Sequence, residues 1–424
     1  MDEQTLAINS IQKKLIGKSL TYKEIYAIMD EIVHDRIGEV LTTYFAASGY
    51  SKGFSNDEIY YLTKAMIETG DQLDFKGIVA DKHSIGGVPG TRTTMIVVPI
   101  VAAAGFTIPK SSSRAITTPG GTADDMEVLA PVTFKKEEIY KIVEKTNGCI
   151  VWGGSVDIAP ADDILIKVEK PLLFESFDKI LVSIMAKKIA FGSNHIVIDL
   201  PFGTNMKAHT AEDAEIIKQK FEYLADRFHV KITVLPHKTE EPAGRGIGPL
   251  LEAREALLVL EQTSDRPLDL EKRALRLAGA LLDLCLTDSP QTLRDKVKSD
   301  YGDGLSWATH LLSSKQAHAK MREIISAQGG NPDVSSKKLF PGKESFAVIA
   351  KGSGTVEKLH IKNATVIAKI LGAPARKKAG IYLNKKLGDT IKKGEVLYTL
   401  HSETSYQLKE DKESLPNFPL LYYA

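Results

Sequence analysis

The stretch DKHSIGGVPGTRTT, residues 81–94, constrains this chain more than any other, because glycines and hydroxyls follow directly on an apolar run at 78–81. Gly86, Gly87 and Gly90 lack a Cβ, so the backbone N–H groups around them are open to a ligand. Ser84, Thr91, Thr93 and Thr94 add hydroxyl donors and Lys82 adds positive charge, an inventory that suits an oxyanion. No Gly-Lys-Ser/Thr closes the loop, so it is not a nucleoside-triphosphate P-loop. One Gly-rich loop is equally well read as a plain strand-to-helix connection. A second segment, KSSSRAITTPGGTAD at 110–124, repeats the inventory. Two such loops after neighbouring strands meet at one end of a parallel sheet, where α/β folds bind ligands, and together they favour a phosphate site.

Composition narrows the partners. Lys and Arg total 55 against 54 Asp and Glu, so no global field exists to gather nucleic acid or an anionic membrane, and any anion must be bound locally. Among 424 residues, 43% are hydrophobic and 26% charged, which fits a multidomain folded protein and excludes disorder or a fibrous repeat. The longest apolar run, 95–106, is too short to span a bilayer and contains Pro99. The amino terminus lacks the basic start and apolar core of a signal peptide. Cys149 and Cys285 are far apart and read as reduced core residues, so a cytoplasmic location is expected.

The architecture expected is a multidomain α/β protein. A discontinuous helical domain covers 1–74 and 160–192, with helix-period apolar spacing at 22–32 and 37–44 and an N-cap at Ser55. An α/β phosphate-binding domain with a mainly parallel sheet covers 75–159 and 193–330. Within it the β-branched runs at 78–81, 94–100, 195–200 and 231–235 read as strands, and 211–228, 248–260 and 268–286 as helices. After a turn-rich linker at 328–337, residues 340–424 form a small α+β domain with one helix at 364–371.

A third segment places Ser183 and Lys187 four apart, on one face of a helix, with Glu175 about two turns earlier. Such residues usually form a solvated helix face, so their value depends on what they meet. His83 is the one histidine inside a candidate loop. No histidine pair has zinc-helix spacing and the cysteines make no cluster, so no metal site is expected.

DKHSIGGVPG, SSRAITTPGGTADDMEVLAP, WGGSVDIAPADD, SIMAKK and GIGPLLEAREAL, in this order, closely resemble the thymidine, pyrimidine-nucleoside and AMP phosphorylases over nearly the whole chain. The resemblance implies a homodimer whose α and α/β domains flank a closing cleft, and a reaction in which phosphate attacks C1′ of a nucleoside. It implies that Lys82, Ser84, Gly86, Gly87, Thr93, Ser112 and Thr122 hold phosphate. Ser113, Arg114, Ala115, Ile116, Thr117 and Thr118 line the substrate cleft, with Lys170, Ser183, Lys187 and Lys207 as further substrate ligands. Glu175 would be the proton donor, where the family has Asp, and His83 a catalytic neighbour of base and sugar. Inorganic phosphate is a co-substrate, and no metal or redox cofactor is implied.

The blocks also resemble the bacterial type 2 thymidine phosphorylases, so thymidine is the first substrate expected, and AMP the alternative. Lys170 stands near the place of a base-binding arginine and lacks its planar fork. Lys207 matches a ligand-binding lysine of the AMP branch, suited to a 5′-phosphate. A catalytically silent nucleotide-binding protein is the alternative from a different class.

Overall fold

The computed structural model describes residues 2–115, 118–169, 171 and 176–424. The expectations for Ile116, Thr117, Lys170 and Glu175 lie outside the described residues. The chain divides into two compact units, Met1–Val79 with Gly153–Asn194 and Ile216–Ile232, and Ala80–Trp152 with His195–Glu215 and Thr233–Ala424.

The first unit is a helical bundle. Helices Glu3–Leu15, Tyr22–Val33, Gly38–Lys52 and Asn56–Glu68 begin it, and Pro160–Glu169 and Phe177–Ala190 complete it. Two of these starts carry reciprocal capping boxes, Thr21 with Glu24 and Ser55 with Glu58, which satisfy orphan N–H groups of the first turn. Glu58 does more than cap its own helix. Its carboxylate accepts from Lys14 Nζ at 2.8 Å and from the Leu20 N–H at 3.0 Å, so one buried acid ties the first helix and the following turn to the fourth. A segment not foreseen in this unit, 216–232, brings in most of the helix Ala211–Arg227.

The second unit holds the α/β domain and the C-terminal domain. Strands β1 (Ala80–Ser84), β2 (Ile108–Ser112), β3 (Gly148–Trp152), β4 (His195–Phe202) and β5 (Lys231–Lys238) form its central sheets. β1 pairs in parallel with β4, with Ser84 opposite Asp199, and β2 pairs in parallel with β3. The Ala80 N–H donates to Thr107 O at 2.8 Å, and Lys110 and Asp81 form an ion pair at 3.3 Å, so β2 starts level with β1 and runs alongside it. β1 and β2 therefore end at a common edge.

One expectation is corrected here. Residues 94–100 form no strand; they belong to the helix Thr94–Ala103, which has Pro99 inside it. The run is apolar on every side, and its residues are buried from Thr94 to Ala102, so side-chain periodicity could not separate a buried helix from a buried strand. Topology decides it, because parallel neighbours need a crossover connection, commonly helical.

The C-terminal part builds on the α/β domain. β6 (Gly246–Ile247) pairs with a strand from beyond residue 340, giving a sheet in which β6 is followed by β9 (Gly380–Leu383), β11 (Val396–Ser402) and β7 (Glu344–Ile349). β8 (Gly354–Leu359) joins β10 (Thr390–Ile391) and β12 (Leu421–Tyr423) in a second small sheet. Met206 and Ile247 pack into the same apolar cluster as Ile367, Ile381 and Leu400, so this core draws on both sides of the expected linker. The expected helix at 364–371 is Ile361–Ile370, and a further helix, Ser405–Ser414, follows it.

Removing one partner of a buried ion pair strands the other charge. Lys14→Met is expected to destabilise the helical unit by about 3–5 kcal/mol. Thermal unfolding followed by helical circular dichroism should show an earlier first transition, and an unchanged melt would remove Glu58 as the tie of this bundle.

Candidate functional site

Lys82 sits in the middle of β1 and is 1% exposed. Its ammonium donates to Ser84 Oγ at 2.5 Å, Thr93 Oγ1 at 2.7 Å and Thr94 Oγ1 at 3.3 Å. Among the described residues no carboxylate lies within ion-pair distance of it. Burial pushes the ammonium down to about 8, against the pull of Asp199, with Arg92 and Arg273 pushing the same way as burial. A buried cation faced by hydroxyls is incompletely compensated; the Ser84 O–H is donated to Asp199, whereas the Thr93 and Thr94 oxygens that accept from Lys82 keep an O–H able to donate. Thr93 and Thr94 are therefore the hydroxyls through which the lysine's polarity could reach a bound anion.

The loop beyond β1 borders open space. A Cβ at Gly86 or Gly87 would meet nothing within 4 Å, and Gly87 has φ +105°, a conformation that side-chain-bearing residues rarely adopt. The loop's far end is fastened by Gly244 N–H to Gly90 O at 2.8 Å and by Ala243 N–H to Thr91 Oγ1 at 3.0 Å.

Ser112 ends β2, and its Oγ is buried without a hydrogen-bond partner among the described residues. Thr122 opens the short helix Thr122–Met126 and accepts from Arg92 Nη1 at 3.5 Å. The structure thus joins Lys82, Ser84 and Thr93 by hydrogen bonds. It delivers Ser112 and Thr122 on the second loop without a bond to Lys82.

Arg92, absent from the sequence-based site, holds the two loops together. Its guanidinium donates to Gly120 O at 2.9 Å and forms ion pairs with Asp125 and, at 2.6 Å, with Glu252. The second loop is closed on itself by Asp124, which accepts from the N–H groups of Ala115 at 2.7 Å and Gly121 at 2.9 Å. Arg114 is engaged by Glu127 at 2.7 Å and Asp124 at 3.2 Å and lies 5.0 Å over the Trp152 ring, so its charge is spent on the loop itself. Ser113 is exposed, and Thr118 donates to Gly120 O at 2.7 Å.

Asp199 is a second residue that sequence patterns did not mark. One of its oxygens accepts from Ser84 Oγ at 2.7 Å, and the other lies 3.3 Å from His237 Nδ1. His83 is therefore not the only histidine near the cradle. Strand alternation sends Lys82 and Ser84 to one face of β1 and His83 to the other.

In the helical unit, Ser183 Oγ donates to Asp162 Oδ2 at 2.7 Å, and Lys187 Nζ lies 2.8 Å from both Asp162 and Asp163. Burial alone would lower the Lys187 ammonium, but the two carboxylates outweigh it and hold it above the ordinary lysine range. Ser183 and Lys187 are thus one group with APADD, which the sequence showed only as a separate block. Lys207 lies in the turn after β4 and makes no hydrogen bond or ion pair among the described residues. The described acids that come close enough to share a metal are Glu3, Asp30 and Glu31, far along the chain from these loops, and Arg36 pairs with two of them.

Comparison with known proteins follows this geometry. Residues 76–299 match the a/b domain of a glycosyl transferase family, residues 8–70 its helical bundle domain, and residues 355–417 the pyrimidine nucleoside phosphorylase C-terminal domain. An AMP phosphorylase of Thermofilum pendens is 43% identical over 95% of this chain and 76% of its own length. A Legionella pneumophila protein named "Putative thymidine phosphorylase" is 42% identical over 95% of this chain and 75% of its own. The chain belongs to the thymidine, pyrimidine-nucleoside and AMP phosphorylase family. The fold extends further: anthranilate phosphoribosyltransferase from Thermus thermophilus superposes with a TM-score of 0.60 at 16% identity, over 76% of this chain and 99% of that one.

Anion binding needs Lys82 protonated, and its ammonium is held at about 8. Sulfate, which does not titrate in this range, should bind with constant affinity below that pH and about tenfold more weakly per unit above it, until the ordinary lysine range is reached. Isothermal titration between pH 6.5 and 9.5 checks this, and Lys82→Arg should remove the break. In the same window the unfolded chain carries the extra proton, so the ligand-free fold should gain stability as pH rises from about 8.

Proposed function

We propose that this chain catalyses phosphorolysis of the N-glycosidic bond of a nucleoside, with inorganic phosphate as co-substrate and no metal or redox cofactor. The observation that carries the reading is Lys82, buried, faced by the hydroxyls of Ser84, Thr93 and Thr94, and without a carboxylate partner among the described residues. A phosphate oxygen attacks C1′, the C1′–N bond breaks, and its electron pair leaves with the base. The transition state gathers positive charge on the sugar, which phosphate held at Lys82 stabilises, while donors to the base accept the charge developing there. Thr93, Ser112 and Thr122 complete the phosphate ligands. By the family resemblance, Ser183 and Lys187, which Asp162 and Asp163 orient, supply donors to the base, and Lys170 and His83 are further substrate ligands.

The first substrate reading is thymidine, giving thymine and 2-deoxyribose 1-phosphate. The second is AMP, giving adenine and ribose 1,5-bisphosphate. It is favoured by the 42–43% identity to proteins named AMP phosphorylase and by the unengaged Lys207. The working state is taken as a cytoplasmic homodimer. Free, buried Cys149 and Cys285 suit a reducing compartment, and among the described residues no helix is long and apolar enough to cross a membrane.

Release of free base from thymidine, uridine and AMP, with and without phosphate, tests the reaction directly. Phosphate-dependent release from at least one is expected, and Lys82→Ala should raise the phosphate requirement severely. Binding without turnover would replace the reading by a silent nucleotide-binding protein. Glu175→Gln should lower kcat by roughly 10²–10⁴-fold with substrate KM little changed, as loss of a general acid does. Equal kcat would remove Glu175 from the mechanism.

A further inference from the structure

Asp199 stands on β4 directly opposite Ser84 of β1 in the parallel register and is 3% exposed. Both of its oxygens are engaged. Oδ2 accepts the Ser84 O–H at 2.7 Å, and Oδ1 lies 3.3 Å from His237 Nδ1. Ser84 Oγ in turn accepts from Lys82 Nζ at 2.5 Å. Ammonium, hydroxyl and carboxylate therefore form one chain in which each hydrogen has a direction, from lysine to serine and from serine to aspartate. His237 closes the far end. Its Nδ1 faces the Asp199 carboxylate and Leu235 O, both acceptors, so that nitrogen is assigned the hydrogen, and Nε2, buried without a partner among the described residues, is left bare.

The charges that reach Lys82 come from four elements. On its own strand Asp81 alternates to the opposite face, where Lys110 pairs with it at 3.3 Å. Arg92, from the loop after β1, opposes protonation of Lys82, although Asp125 and Glu252 hold its guanidinium. Arg273 of the helix Leu268–Leu286, which packs on β1 and β4, opposes it as well; Lys272 and Arg276 of that helix are exposed to solvent. Burial is the largest influence against the charged ammonium, and Asp199 is the largest in its favour. Burial disfavours the charged forms of Arg273 and His237 too, and the same carboxylate pulls against it.

We propose that Asp199 is a positioning residue of the anion cradle, acting through the Ser84 hydroxyl to keep the Lys82 ammonium charged and directed at Thr93 and Thr94. The intervening hydroxyl matters. A carboxylate in direct contact would neutralise Lys82 and compete with an incoming anion. Held one hydroxyl away, it supports the positive charge and leaves the other ammonium hydrogens to Thr93 and Thr94. This rests on the reading of Lys82 as the phosphate-binding lysine, but the ionisation of Lys82 can be observed directly whether or not base is released.

The test follows the Lys82 Cε resonance by carbon-13 NMR in the intact, lysine-labelled chain from about pH 6 to 10, the resonance being identified by its absence from Lys82→Arg. Burial holds His237 below the ordinary histidine range, so it stays neutral over most of this window. Wild type should titrate at about 8. Asp199→Asn, which keeps the shape and an oxygen for Ser84, should move the midpoint down by about one unit, as loss of a nearby opposite charge does, and Asp199→Glu should restore much of it. Sulfate affinity of Asp199→Asn should then fall about tenfold at about pH 9 and stay within about twofold of wild type at about pH 6.5. An unmoved midpoint, with affinity lost equally at every pH, marks a merely structural role and overturns the proposal. Ser84→Ala tests the relay with Asp199 in place: it should lower the midpoint in the same direction, and adding Asp199→Asn to it should lower it by less than Asp199→Asn does alone. Additive shifts, or an unmoved midpoint in Ser84→Ala, overturn the action through Ser84.

Discussion

The guanidinium of Arg92 is the interaction on which the edge carrying the two glycine loops depends. It reaches from the first glycine loop to Gly120 O in the second, and it ends between Asp125 and Glu252. Glu252 in turn accepts from the Gly248 N–H at 3.1 Å, so the start of the helix Pro249–Leu260 is fastened to the same charge. An ion group this deeply buried stabilises only when its geometry is good and its remaining donors are used, and Arg92 meets that condition with carboxylates on two elements and a carbonyl on a third. Two loops rich in glycine would otherwise have large conformational freedom to lose.

Around that anchor the edge is electrostatically uneven. Arg92 and Arg114 are paired with acids, whereas Lys82 has hydroxyls and Lys272 and Arg276 have solvent. Asp199 belongs to neither loop, yet its carboxylate joins Ser84, beside Lys82, to His237. The C-terminal domain also bears on this edge: Lys377 pairs with Asp124 at 3.0 Å and Glu127 at 2.8 Å, and so braces the second loop from outside.

Much of this was readable in the sequence where the signal is local. The capping residues Thr21 and Ser55, the glycine loops and the long helix at 268–286 follow from short-range patterns of φ preference, hydroxyl placement and apolar spacing. The error at 94–100 came from the same source, since a segment apolar on all sides carries no period to read. Arg92, Asp199 and His237 were missed because each acts through partners more than 25 residues away in the chain. No spacing rule connects His237 to Asp199, or Arg92 to Glu252.

By itself the sequence determined that this is a multidomain α/β chain with paired glycine and hydroxyl loops, a lysine ahead of them, and ordered blocks that identify its family. Those properties rest on residue type and near-neighbour spacing, which the chain carries before it folds. Only the tertiary structure decided which cations are paired with carboxylates and which are faced by hydroxyls, that β6 is lent to the C-terminal sheet, and that one carboxylate links Ser84 of β1 to His237 of β5. The physical reason is that charge compensation and strand pairing depend on distances across the fold, and those distances exist only once the crossovers have brought the strand ends to a common edge.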